Sequence, residues 1–343
     1  MTRSFEFILE AGVNHDGERE RAFELVESAA RTGADYVKFQ TYTSDRLAAK
    51  ISPSYWDLDE ESTTSQRELF SKYDRFTTKD YIDLAKACDK AGIGFMTTCF
   101  DSDWVDALDF VIPQYKIASA DITNYKLLRH IASKGKPMLI STGAASFSEV
   151  HAAVQIVRDI SNIKISLLHC VLNYPTPPEN ASLNRISKLI EEFPGIEIGY
   201  SDHTKPIDSV QALQIALDLG ATIFEKHYTW NEDGFGNDHY HSFNESKARE
   251  VISILNKSQI LRKFTEEKFL KEQDLARKFA RRGLYASRDL SAGDELVDAD
   301  LIPLRPPIGV EGFSGDEIDV VLGSKLVTDI LKGEPILRSS LSL

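Results

Sequence analysis

Over the first ~245 residues, apolar and polar positions alternate between a strand-like and a helix-like period. Short runs rich in Ile, Val, Phe and Tyr fall at 5–11, 35–41, 93–99, 114–120, 137–142, 164–171, 197–201 and 221–229, and read as strands. Between them, stretches rich in Ala, Leu, Lys and Glu carry apolar residues at helical spacing, at 18–31, 79–91, 124–133, 148–160, 183–193 and 206–219. Gly33, Gly92, Gly135 and Gly220 follow several of these stretches, where left-handed C-caps are expected. Strands that read as continuous apolar runs are buried on both faces, as in a parallel sheet covered by helices. Eight strand–helix units of nearly even spacing predict a closed (β/α)8 barrel of the TIM type. A doubly wound open sheet is the rival, and the even spacing favours closure.

Two segments depart from this rhythm. Residues 43–77 are polar, carry Pro53, Tyr55 and Trp56, and are long for a strand-to-helix loop. They read as a lid, an assembly contact or a plain surface excursion. Residues 244–273 read as helical, with a charged face that is usually just solvated. From Gly283 the texture changes to short strands and tight turns, with turn signals at 291–294 and 332–335. The expected division is a barrel at 1–260, a helical linker at 261–282 and a small module at 283–343. So small a module is expected to lean on a partner surface.

Charge and cysteine usage narrow the functional classes. Forty Lys and Arg stand against 53 Asp and Glu, a formal net charge of −13, which disfavours nucleic acid and anionic membranes as partners. A hydrophobic content of 42% suffices for a core, which excludes global disorder. Cys88, Cys99 and Cys170 form no CxxC, against a disulfide framework or a structural zinc site. The opening MTRSFEFILEAG has no signal-like apolar stretch and no long apolar run follows, so a soluble, cytoplasmic protein is expected. No GxGxxG, GxxxxGK[ST] or GxSxG occurs, which removes support from dinucleotide, P-loop and serine-hydrolase chemistry.

A barrel carries its chemistry at the C-terminal strand ends, and here every expected strand offers hydrogen-bonding groups there. In order they are Glu10 with Asn14 and His15, Lys38 and Gln40, Thr97 and Thr98, then Lys116, Ser119 and Asp121. Ser141 and Thr142, Asn173 and Tyr174, Ser201 to His203, and Glu225 with His227 complete the ring. The i,i+2 pairs Lys38/Gln40, Ser119/Asp121 and Glu225/His227 each point to one side of a strand. His203 and His227 end adjacent strands, and with Glu10, Glu225 or Asp202 they suit a divalent transition metal open to substrate oxygens. Taken singly, such histidines are more often satisfied structural residues. His130 and His151 fall on helices and His169 within a strand, and these read as structural. His239 and His241 follow the last strand, and either touch substrate or cap their loop. Lys38 and Lys116 are costly on inward strand ends unless an anion neutralises them. With Thr98, Ser119, Ser141 and Ser201 they form a candidate cradle for phosphate and carboxylate. Structural ion pairs with Glu10, Asp121 or Glu225 are the alternative.

The motifs ILEAGVNHDG, DYVKFQTY, FMTTCF, YKIASADITNYKLL, KPMLISTGAAS, LLHCVLNYPTP, IGYSDHT and IFEKHYT, in this order, resemble those of the sialic acid synthase family. Its members condense phosphoenolpyruvate with N-acetylmannosamine or related deoxy-diacetamido sugars. The tail RRGLYASRDLSAGDEL…LRPPIG resembles the family's antifreeze-like SAF domain. The resemblance implies His203 and His227 as ligands of a divalent ion, typically manganese, with magnesium or cobalt as alternatives. It implies that Glu10 and Glu225 hold metal-bound water or act as acid and base. Lys38, Thr98, Lys116, Ser119 and Ser201 would bind phosphoenolpyruvate, with Ser141 nearby. Gln40, Asp121, Tyr174 and Asp238 would contact the amino sugar, and Asp202 of the SDH motif is counted with the substrate set. Arg305 would enter a partner subunit's barrel mouth, which implies a domain-swapped homodimer. Two positions depart from the family pattern: Leu172 stands where most relatives have Asn or Ser, and Asp121 where many have Glu. Alternative functions are a phosphoenolpyruvate synthase or metal-dependent aldolase acting on another sugar, and a non-catalytic sugar-binding relative.

Overall fold

The computed structural model describes residues 4–56, 58–59, 61–234, 236, 238–306, 309 and 312–342, in two compact units, Met1–Leu261 and Arg262–Leu343. The first unit is the predicted barrel. Its strands are β1 (Glu6–Gly12), β2 (Tyr36–Thr41), β3 (Gly94–Cys99), β4 (Tyr115–Ile117), β5 (Met138–Ser141), β6 (Ile165–Cys170), β7 (Glu197–Asp202) and β8 (Ile223–His227). They pair in parallel in sequence order, and β8 closes on β1. Around them run α1 (Arg19–Ala30), α2 (Ser44–Leu47), α3 (Gln66–Tyr73), α4 (Thr78–Ala91), α5 (Ser102–Leu108), α6 (Tyr125–Ala132), α7 (Phe147–Arg158), α8 (Arg185–Glu192), α9 (Pro206–Asp218) and α10 (Glu245–Leu261).

Local chemistry explains the element ends. Thr77 and Asp80 form a reciprocal capping box at the start of α4, and Gly92 closes it at φ +75°. The helix α5 carries too few apolar positions to show a period, with only Val105 and Leu108 buried. It forms because the Asp101 carboxylate accepts from the amides of Asp103 and Trp104. The strand β4 ends earlier than expected, because a 3-10 turn at Ser119–Asp121 follows it directly. The 43–77 excursion contains α2, α3 and an antiparallel bridge between Pro53 and Ser65. Within it the Trp56 indole donates to the carbonyls of Glu61 and Thr63.

Alternation along the strands separates two environments. Outward side chains such as Phe7, Leu9, Val37, Phe39 and Phe224 join the helices in one continuous core. Inward, Ile8, Met96, Leu139, Leu168 and Ile223 form a separate apolar plug. A Cβ on Gly199 would lie 2.3 Å from the Ile223 carbonyl oxygen and 2.4 Å from Leu168 Cδ2, so only glycine fits inside β7 at this level. Two residues further along the strands, the inward positions become polar. The plug thus closes one end of the barrel and leaves the other for the site.

The second unit holds α11 (Glu266–Glu272) and α12 (Asp274–Ala280), which have no buried residues and fall in the segment expected as a linker. Beyond them are two antiparallel pairs, β9 (Gly283–Ala286) with β10 (Leu301–Leu304), and β11 (Lys325–Leu326) with β12 (Leu341–Ser342). Leu284, Leu296, Phe313, Val321 and Ile336 are among its own small core. All three cysteines are buried and free. No helix among the described residues is long and apolar enough to cross a membrane.

Candidate active site

At the C-terminal strand ends a cavity of about 550 Å³ opens in the barrel. Of the residues expected in the site, Glu10, Lys38, Gln40, Thr98, Lys116, Ser119, Asp121, Ser141, Tyr174, Ser201, His203, Glu225, His227 and Asp238 all line it. They come together because parallel pairing sets inward residues of neighbouring strands side by side: Glu10 with Lys38, Thr98 with Lys116, Ser201 with Glu225. Arg305 belongs to the second unit and is exposed there.

Asp202 corrects the expectation. It lies between Ser201 and His203, so the period-2 alternation of β7 turns it to the opposite face. There its carboxylate accepts from the Tyr200 hydroxyl, the Thr204 amide and the Lys226 ammonium. It is fully buried and takes no part in the cavity.

The cavity floor is a network of buried charges. Lys38 forms an ion pair with Glu10 and stands 3.7 Å from Glu225 Oε2, while Lys116 Nζ lies 3.5 Å from Glu225 Oε1. Gln40 donates to Glu10 (3.0 Å) and the Ser201 hydroxyl to Glu225 (3.0 Å). Burial pushes the Glu225 carboxyl upward, but Lys116 and Lys38 outweigh it and hold the group below its ordinary range. Burial raises Glu10 too; Lys38 opposes this, the nearby charge of Glu225 adds to it, and the net displacement is upward. Two carboxylates in one pocket are thus driven apart, the arrangement that separates an acid from a base. Lys116 is lowered, because burial exceeds the pull of Glu225. The floor thus sets two buried lysines against two buried carboxylates, and Glu10 Oε2 and Glu225 Oε2 have no hydrogen-bond partner.

Histidines gather on the other side. The rings of His203 and His227 are 5.3 Å apart, and those of His227 and His241 4.7 Å apart. His203 Nδ1 donates to the Val171 carbonyl at 2.7 Å, which fixes the tautomer and leaves the Nε2 lone pair for a ligand. His227, Asp238 and His241 offer donor atoms that all lie within 4.8 Å of one another. His227 Nδ1 and both nitrogens of His241 are buried without hydrogen-bond partners. Buried unpaired nitrogens beside a carboxylate fit a divalent cation, and burial keeps both rings neutral, as ligands must be. His241 was an open case in the sequence, since a loop residue has no period that would aim it. His239, by contrast, has partners for both ring nitrogens, the Thr229 hydroxyl and the Asp16 carboxylate.

The excursion after β2 supplies a wall that the motifs did not reveal. Tyr42, Tyr55, Trp56, Phe70 and Tyr73 line the cavity, joined by Phe100 after β3. Its signal in the sequence is aromatic residues recurring in an otherwise polar stretch. Leu172 also lines the cavity, and its Cδ1 lies 2.8 Å from where a Cβ on Gly143 would be.

Residues 25–266 match the NeuB family and residues 281–342 the SAF domain. The chain belongs to the NeuB family. It is 33% identical to the N,N'-diacetyllegionaminic acid synthase of Legionella pneumophila, over 96% of this chain and 92% of that protein. With the pseudaminic acid synthase of Helicobacter pylori it shares 30% identity, over 90% and 91% of the two chains. The crystal structure of an N-acetylneuraminic acid synthetase from Leptospira borgpetersenii, solved with citrate, superposes with a TM-score of 0.69 at 29% identity. That match covers 81% of this chain and 93% of the other. This NeuB-family chain therefore pairs a barrel, with a cavity at the C-terminal strand ends that holds buried lysines, carboxylates and a candidate His–Asp metal cluster, with a C-terminal SAF domain.

Proposed function

We propose that the chain joins phosphoenolpyruvate to the open-chain aldehyde of N-acetylmannosamine or a related acetamido-deoxy hexose. The products are a nonulosonic acid and inorganic phosphate, released by C–O cleavage. One observation carries the proposal: a single cavity holds two buried lysines, two buried carboxylates and a His–Asp cluster. Relatives that synthesise N,N'-diacetyllegionaminic and pseudaminic acids support it.

Lys38 and Lys116 pair with the phosphate and carboxylate of phosphoenolpyruvate, with Thr98, Ser119, Ser141 and Ser201 as hydroxyl donors. Gln40, Asp121, Tyr174 and Asp238 contact the amino sugar, and Asp238 would also help to hold the cation. The methylene carbon of phosphoenolpyruvate attacks the aldehyde carbon, and positive charge develops at its own C2. Glu225 stabilises that charge and takes a proton from the water that adds to C2, while Glu10, the carboxyl that burial raises, gives a proton to the oxyanion left on the former aldehyde carbon. Collapse to the ketone breaks the bond between C2 and the bridging oxygen, which leaves with phosphate as Lys38 and Lys116 stabilise its charge. A divalent ion, manganese in our proposal, held by His203 and His227 with Asp238 and His241 beside them, would supply Lewis acidity to the aldehyde oxygen. In a homodimer, Arg305 of each chain would complete its partner's sugar site.

Purified protein with manganese, phosphoenolpyruvate and a panel of mono- and diacetamido hexoses should release phosphate only when sugar is present. Label in the bridging oxygen of phosphoenolpyruvate should appear in the phosphate. No sugar-dependent release across the panel removes the proposal, and product formed from pyruvate would make the protein an aldolase instead. Arg305→Ala should raise the sugar KM while light scattering still reports a dimer.

A further inference from the structure

Asp238 and His241 reach the site on a loop that follows β8 and lies outside the barrel ladder, and the turn after β1 holds that loop. Asn14 Nδ2 donates to the Tyr228 carbonyl (3.0 Å) and to the Ser242 hydroxyl (3.2 Å). Two residues on, Asp16 Oδ1 lies 3.0 Å from His239 Nε2, while His239 Nδ1 meets the Thr229 hydroxyl at 2.6 Å. His239 is 2% exposed. A Cβ on Gly234 would lie 2.8 Å from its Cγ, so the loop has made room for this ring. On the outer side, Arg21 of α1 holds the second oxygen of Asp16 at 2.5 Å and lies over the Trp230 ring, 4.3 Å from its centroid. Asp16 also adopts φ +54°, a left-handed conformation that aspartate takes more readily than most non-glycine residues. Neither Asp16 nor His239 is among the residues that line the cavity.

We propose that Asp16 is a positioning residue: by holding His239 it fixes the loop so that Asp238 and His241 meet His227. The kinetic part rests on the synthase function above; the metal-binding part does not. Groups that orient a metal's ligands typically change affinity by about 10- to 100-fold when removed. Calorimetric titration of the full chain with Mn2+ should therefore show Asp16→Ala binding at least about tenfold more weakly than wild type. In kinetics its sugar KM should rise by a similar factor, while the phosphoenolpyruvate KM stays near wild type. Asp16→Asn keeps an acceptor oxygen and should recover most of both losses. His239→Phe keeps the ring's bulk but not its donor, and should match Asp16→Ala. The double variant should be no worse than either single one, because both remove the same contact.

Wild-type Mn2+ affinity in Asp16→Ala overturns the proposal, as does Asp16→Asn behaving like Asp16→Ala or an additive double variant. If Asp16→Ala fails to fold, His239→Phe carries the same test, and unchanged Mn2+ affinity there overturns it equally. A wild-type chain that binds Mn2+ but makes no product from any sugar removes the synthase function and leaves the positioning test standing. A wild-type chain that does not bind Mn2+ removes the positioning role.

Discussion

Strands β7 and β8 carry two buried charged sites on adjacent rungs and opposite faces. In register, Asp202 pairs with Lys226 on the outer face and Ser201 with Glu225 on the inner one. Outside, the Asp202 carboxylate accepts from Tyr200, Thr204 and Lys226, and Lys226 also donates to the Thr204 carbonyl. Inside, Glu225 Oε2 is buried without a hydrogen bond and stands 3.7 Å from Lys38. Burial and charge are alike at the two places, while satisfaction is not. A polar group whose partners are all protein holds the fold together; one left short on a cavity wall has capacity to meet a ligand.

Breaking the outer pair should give the largest effect on stability. Lys226→Met leaves the Asp202 carboxylate buried without its cation, at a cost of about 3–5 kcal/mol. For a unit of this size that is a fall in Tm of roughly 6–20 °C by calorimetry, with turnover per folded molecule close to wild type. A large loss of turnover without a change in Tm would mean that the outer pair belongs to the site after all.

The inner site should answer the opposite way. Lys116→Met should lower turnover by about 10²–10³, or ~2.7–4 kcal/mol of transition-state stabilisation. The Tm should hold or rise, because burial already disfavours this ammonium more than Glu225 favours it. A Tm that falls as far as in Lys226→Met would make Lys116 a structural cation and erase the distinction between the faces.

The same strands show what a sequence can reveal. The eight strands and their polar ends are legible because period and burial leave a mark at every second residue. Glu10, Lys38, Lys116 and Glu225 therefore project into the cavity as their spacing implies. Asp202 could not be assigned that way: Ser201, Asp202 and His203 are polar in succession, so composition is silent on which parity faces inward. His241 lies in a loop, where no period operates. Its neighbours are set by Asn14 and Asp16, more than 220 positions earlier in the chain. The helix α5 is too short to display a period, and the aromatic wall of 43–77 depends on tertiary packing.

Metal removal separates the faces at a smaller scale. Mn2+ at about 100 times its Kd should stabilise the first unit by ~2.7 kcal/mol, and chelation should abolish the gain. His227→Gln should remove the difference between the two conditions, whereas Lys226→Met should lower both curves in parallel. A stabilisation that survives in His227→Gln would place the ion elsewhere.

The smallest effect tests a residue on the inner face that cannot make a hydrogen bond. Leu172 lines the cavity beside Gly143, whose amide donates to the Ser119 hydroxyl at 2.9 Å. Asn at this position would add a donor toward the proposed anion cradle, while leucine contributes only contact. A hydrogen bond to a charged group contributes about 1.5 kcal/mol or slightly more, so Leu172→Asn should lower the phosphoenolpyruvate KM by roughly tenfold. The sugar KM should stay where it is, and initial rates with each substrate varied in turn measure both. If the sugar KM moves and the phosphoenolpyruvate KM does not, the side chain at 172 faces the sugar. The leucine would then act by shape in choosing that sugar, and the anion would be held by the two lysines and the hydroxyls around them.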